Sequence, residues 1–187
     1  MLINSAVLPP YENRMRRDFI PTVQHKVAIS ALPVSALRGN LAGMTAIARD
    51  FLRVLDLGQF AVSNPERFRD RLDGATDLLL AELRTYSGSW GVARKALNLF
   101  LRDSLYNVYL QKRFKLHRAE RCFEVPLDGV VAKKLRTRFH RALPAWRGVK
   151  YLDPDLSSAY QDFATEWARP LDISRVHLDI YFWARRD

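Results

Sequence analysis

Apolar residues recur at three- and four-residue spacing in nearly every stretch of this sequence, whereas strict apolar–polar alternation is hardly sustained beyond four residues. The first pattern puts side chains on one face of a helix and the second would put them on one face of a strand. The chain is therefore expected to be all-α. At 187 residues it is long enough to bury a sizeable core as one helical domain over 1–187. Residues 1–33 read as an N-terminal arm marked by Pro9, Pro10, Pro21 and Pro33. A long helix is expected from about Ser35 to Leu57, ended by Gly58. Asn64, Pro65 and Glu66 supply a side-chain cap, a proline at the first helical position and an acid in the first turn, and so open a second helix reaching about Tyr86. Ser87-Gly88-Ser89-Trp90-Gly91 breaks it. From Ala93 to about Leu110, Leu97, Phe100, Leu101, Leu105 and Val108 form one apolar stripe, followed by a basic loop from Lys112 to Val125. Pro126 and Asp128 open another helix, Asp153-Pro154-Asp155 opens one through Trp167, and Ile173 to Trp183 forms the last, with Val176, Ile180 and Trp183 facing inward.

Charge narrows the partner. Thirty Lys+Arg face twenty Asp+Glu, a net +10 that favours polyanions and the release of their counterions. Thirteen of those basic residues and only four acids fall between Arg102 and Lys150, so nine of the ten surplus charges lie in one stretch. Cys122 is the only cysteine, which excludes an internal disulfide and a cysteine-rich zinc site. His25, His117, His140 and His177 are scattered without ligand spacing, so neither a metal nor another cofactor is expected. No apolar run has the roughly 18–20 residues of a membrane span, and no signal peptide is evident. A monomer in the cytoplasm is the expectation, on the nucleoid if the source is a prokaryote.

The segment Ser89-Trp90-Gly91-Val92-Ala93-Arg94-Lys95 reads as a tight turn between two helices, the second opening with exposed backbone amides. Such an end attracts phosphate through its free N–H groups and the helix dipole, and glycine lets a nucleic-acid backbone come close. Here the sequence resembles the hairpin of the helix-hairpin-helix DNA glycosylase superfamily, in which Leu-Pro-Gly-Val-Gly-x-Lys precedes a helix and the lysine is the nucleophile of the bifunctional members. Lys95 falls at that lysine. Pro126-Leu127-Asp128 resembles the family's Pro-x-Asp, with Asp128 thirty-three positions after Lys95, a separation close to that of the archaeal 8-oxoguanine glycosylases. Their last helix is also similar to His177-Leu178-Asp179 followed by Trp183. Ser89-Trp90 stands where the family has Leu-Pro, and Ala93 where it has the second glycine. The likeness spans 87–187.

The resemblance implies a metal-independent DNA glycosylase with an AP lyase step that acts on double-stranded DNA carrying a damaged base, with 8-oxoguanine the leading substrate. Lys95 would attack C1′ of an extruded nucleotide, and Asp128 would stabilise the positive charge developing on the sugar. Asp179, Trp183, Leu99, Arg102 and Leu127 would line the base pocket, while Trp90, Gly91, Arg94, Lys133 and Lys134 would meet the DNA backbone. A first-turn position near clustered arginines is expected to lower the Lys95 pKa. Taken singly, each residue has a plainer role: Asp128 as a helix cap, Lys95 as a solvated surface residue, Trp183 as core, Asp179 as a partner of Arg175 or Arg186. Their joint order is what points to catalysis. The alternative is a non-catalytic helix-hairpin-helix DNA-binding module in a repair or defence assembly, for which Trp90 and Ala93 speak.

Overall fold

A computed structural model describes residues 10–37, 43–139 and 142–184. Among them there is no strand, and eight α-helices carry the fold: α1 (Pro10–Ala31), α2 (Met44–Leu52), α3 (Pro65–Leu83), α4 (Trp90–Tyr106), α5 (Val108–Phe114), α6 (Gly129–Phe139), α7 (Pro154–Ala168) and α8 (Leu178–Ala184). The all-α expectation holds.

The strongest cap signals produce the helices read from them. Asn64 Oδ1 accepts from Arg67 N at 2.9 Å at the head of α3, and Asp153 Oδ1 accepts from Leu156 N at 2.8 Å at the head of α7. Several other expectations need correction. The arm is mostly helix, because Gln24, Val27, Ala28 and Ala31 recur on one face and bury it. Pro10 stands at the first helical position and Pro33 just past the end, so only Pro21 interrupts the ladder. The single long helix over 35–57 is replaced by a 3-10 turn at Val34–Leu37 and the shorter α2, which Gly43 precedes at φ 93°, a left-handed conformation no continuous helix accepts. The expected basic loop is helical over α5 and a 3-10 run at Leu116–Cys122, since Leu110, Leu116, Ala119 and Cys122 are buried beneath the charges.

Two apolar clusters form the core. The first gathers α1 to α5 around Leu97, Phe100 and Leu101 of α4. The second joins α6, α7 and α8 around Tyr160, Leu135 and Phe182. Gly91 lies at the seam, packed against Val149 and Leu152, and a Cβ there would collide with the Val149 carbonyl oxygen and stand 3.0 Å from that of Leu152. Both obstacles are backbone and cannot swing aside. Replacing a helical glycine by alanine ordinarily gains about 1 kcal/mol, but overpacking of this kind costs up to about 3 kcal/mol. Gly91→Ala is therefore expected to lower the unfolding free energy by about 2 kcal/mol, read as a reduced urea midpoint at unchanged m-value.

Candidate active site

Between the two clusters lies a cleft of about 770 Å³, within the size range of small-ligand sites. Its long wall is one stripe of α4: Lys95, Leu99 and Arg102 follow at i, i+4 and i+7 and so stand above one another. Facing them are the end of α1 with the turn at Ser35 and Ala36, the Pro126–Val130 entry to α6, and Asp179, Ile180 and Trp183 of α8. Four stretches distant in sequence meet here.

Lys95 is the sixth residue of α4, because the helix begins at Trp90 rather than at Ala93. It therefore sits in the second turn, where the dipole acts weakly. Its Nζ donates to the Ala36 carbonyl at 2.8 Å. Burial pushes its pKa below the ordinary lysine value, while the Asp128 carboxylate pulls it back up. The direction is the one expected, but the cause is desolvation and not the dipole or neighbouring arginines.

Asp128 is held in place from both sides in sequence. The Gln161 side chain closes a pair of hydrogen bonds with Val125, accepting from its N–H at 3.0 Å and donating to its carbonyl at 2.9 Å, and so fixes the approach to Asp128. Its own Oδ1 accepts from Val130 N at 2.8 Å and Val131 N at 2.9 Å, capping α6. The plain role as a cap and the position in the cleft are thus both real, and they coexist in one carboxylate.

The last helix is turned differently from expectation. Val176 is buried as expected, but Leu178, Asp179 and Phe182 take the inner positions, leaving Ile180 and Trp183 48% and 44% exposed at the cleft's lip. Asp179 does pair with an arginine, but its partner is Arg102 rather than Arg175, and the Arg102 guanidinium also holds Asp103 at 2.8 Å; Arg186 lies outside the described residues. Arg175 instead donates to the Phe123 and Cys122 carbonyls, each at 3.1 Å. A buried carboxylate needs such a partner. Leu127 is the exception among the pocket residues, since it is buried in the second cluster and does not line the cleft.

A tight turn does join α3 to α4. The 3-10 turn Arg84–Tyr86 that follows α3 ends on Ser87 at φ 56°, with Gly88 N donating to the Leu83 carbonyl at 3.0 Å, and Ser89 caps α4. Its expected contacts with a DNA backbone need correction, however. Gly91 is covered by Val149 and Leu152. Arg94 is 4% exposed, paired with Asp73 and, at 3.2 Å, with Glu124, and it donates to Thr76 Oγ1 at 2.7 Å. Trp90 is half-buried against the second cluster with the Arg94 guanidinium 4.7 Å from its ring centre. Glycine and arginine therefore serve packing here. Lys133 is exposed and Lys134 half-buried on α6.

Two contributors had no legible signal. The Ala36 carbonyl belongs to a segment outside the recognised stretch. On the flank of α4, Tyr106 Oη and Glu120 Oε1 lie 2.7 and 3.0 Å from the two ring nitrogens of His177, tying α8 to the rest of the fold through residues far apart in sequence. Among the described residues, no helix is long and apolar enough to cross a membrane, and no group of three or more His, Cys, Asp or Glu side chains is arranged to hold a metal ion. Compared with known proteins, the chain matches no family model, no curated protein and no solved structure.

Proposed function

We propose that this chain is a DNA glycosylase with an AP lyase step, excising a damaged base, 8-oxoguanine foremost, from duplex DNA. The observation that carries the reading is the convergence of a half-buried amine, Lys95, with the carboxylates of Asp128 and Asp179 and the ring of Trp183 in one cleft. Desolvation makes the amine more often neutral and hence nucleophilic. Neutral Lys95 attacks C1′ of the extruded nucleotide as the C1′–N bond breaks, and the base leaves with that electron pair and takes up a proton. Loss of protons from the lysine nitrogen and opening of the sugar give the Schiff base, and removal of a C2′ proton then expels the 3′ phosphate. Asp128 stabilises the sugar cation and relays protons, while Trp183 stacks on the flipped base.

Sodium borohydride trapping on duplexes carrying oxidised, alkylated or deaminated bases tests this directly. A covalent adduct with at least one of them is expected, and the absence of adduct together with the absence of base release from the whole panel overturns the reading. The pH dependence is a second check. Below its pKa an amine gains neutral form tenfold per pH unit, so the initial rate of adduct formation should climb from pH 6 and level off before the ordinary lysine value of 10.5. A rate still rising through that value would mean that the reacting amine is not the desolvated one.

A second reading, a non-catalytic DNA-binding module, is favoured by one observation: Gly91 and Arg94 are turned inward, so the hairpin has given up its usual phosphate contacts. Duplex binding without adduct or base release would support it.

A further inference from the structure

We propose that the outer faces of α1 and α5 form a separate site for single-stranded DNA. The cleft explains nothing about this surface. Phe19 and Tyr109 are 44% and 54% exposed, and their rings meet edge to face with centroids 5.0 Å apart. The ring that offers its edge keeps its own faces clear of its partner, so the half-exposed pair leaves an aromatic face uncovered by its neighbour. Met15, one turn before Phe19, and Val108 are exposed beside it.

Cations accompany this pair. Lys112 and Arg113 follow Tyr109 at i+3 and i+4 and so share its face of α5, and Arg17 is exposed on the same end of α1 as Phe19. From Val108 to Cys122 there are five Lys and Arg and one acid, Glu120, which is occupied by His177 and Ser174. Among the described residues, none of Arg17, Lys112, Arg113 and Lys115 is in an ion pair. Asp18 is the one carboxylate among the α1 side chains that the structure describes.

The combination selects the ligand. A buried protein interface would have to desolvate these unpaired cations, which disfavours it. Duplex DNA would satisfy the charges but hides the faces of its bases, so the aromatic pair would gain nothing. A single strand offers both phosphates and free base faces, and stacking on aromatic rings is indifferent to sequence. The site is also distinct in position. Ser30 borders the cleft and Phe19 lies eleven residues earlier on the same helix, about 16 Å away at a rise of ~1.5 Å per residue.

The test is a fluorescence anisotropy titration of the full chain with a labelled twelve-residue oligothymidine and with a blunt duplex of equal length. It requires no base release, so the proposal survives or fails independently of the reading of the cleft. Combined Phe19→Ala and Tyr109→Ala should weaken oligothymidine binding at least tenfold while duplex binding changes less than threefold. Equal losses for both ligands, or no loss, overturn the proposal. Should the aromatic variant fail to fold, Lys112→Glu with Arg113→Glu, both exposed, provides the second measurement: the slope of log affinity against log salt for oligothymidine should become shallower by about 1.4, at about 0.7 per phosphate contact. An unchanged slope overturns the proposal, as does binding of the wild-type chain to vesicles rich in anionic lipid with no binding to oligothymidine.

Discussion

Lys95→Gln is expected to abolish both borohydride crosslinking and strand cleavage while leaving a folded protein. Glutamine has comparable helix propensity, and its amide is still able to donate toward the Ala36 carbonyl that holds Lys95 Nζ at 2.8 Å. It also removes an amine that burial disfavours in its charged form. The stability change should stay within about 1 kcal/mol, the scale of substitutions that create neither a cavity nor an unpaired charge. Because the proposed covalent intermediate requires a primary amine at this position, no partial activity is expected in the trapping assay. Lys95→Arg sharpens the experiment, since it keeps the positive charge and loses the nucleophile. An adduct persisting in Lys95→Gln would assign the chemistry to another amine, and loss of the adduct alongside a collapsed melting transition would mean that Lys95 is needed chiefly for the fold.

Asp128→Asn is expected to lower base release by about 100-fold or more, the usual contribution of a positioned acid–base group. Its fold should be spared. Both cap bonds of α6 fall on Oδ1, which asparagine retains, whereas Asp128→Ala would lose them at about 1 kcal/mol. Comparing the two variants separates the cap from the chemistry: only a capping role would leave Asp128→Asn fully active. The pH profile adds a sign. Asp128 raises the Lys95 pKa, so its removal should move the plateau of adduct formation toward lower pH even as the plateau itself falls. A plateau that moves without falling would mean that Asp128 acts solely through the charge state of Lys95.

The sequence is most legible where a local rule suffices. Asn64 and Asp153 cap the helices they were expected to cap, because a side-chain oxygen, a following proline and an early acid act within four residues. The all-α class follows from apolar period alone. Prolines misled at the N-terminus, since Pro10 and Pro33 mark helix limits as readily as they mark an arm, and the apolar face of α1 shows its meaning only against α4. Lys95, Leu99 and Arg102 could be placed on one stripe, and Asp179 and Trp183 on one helix, but no spacing rule says that those two elements face each other. Gly91 and Arg94 were misread for the same reason. A glycine that admits phosphate and a glycine that admits a neighbouring carbonyl look identical in sequence, and Arg94 declares its partners Asp73 and Glu124 only once α3 and the chain after Cys122 are folded against it.

The Lys95–Ala36 hydrogen bond spans fifty-nine residues, and α1 has α4 as its main neighbour. During synthesis at about 5–20 residues per second, the first helix must therefore wait roughly 3–12 seconds for the strip it covers. Over that interval Val27, Ala28, Ala31 and Leu32 remain open to water and to other nascent chains. The α1 wall of the cleft is thus made well before the α4 strip that covers it, which places the demand for holdase chaperones during synthesis rather than in the finished fold.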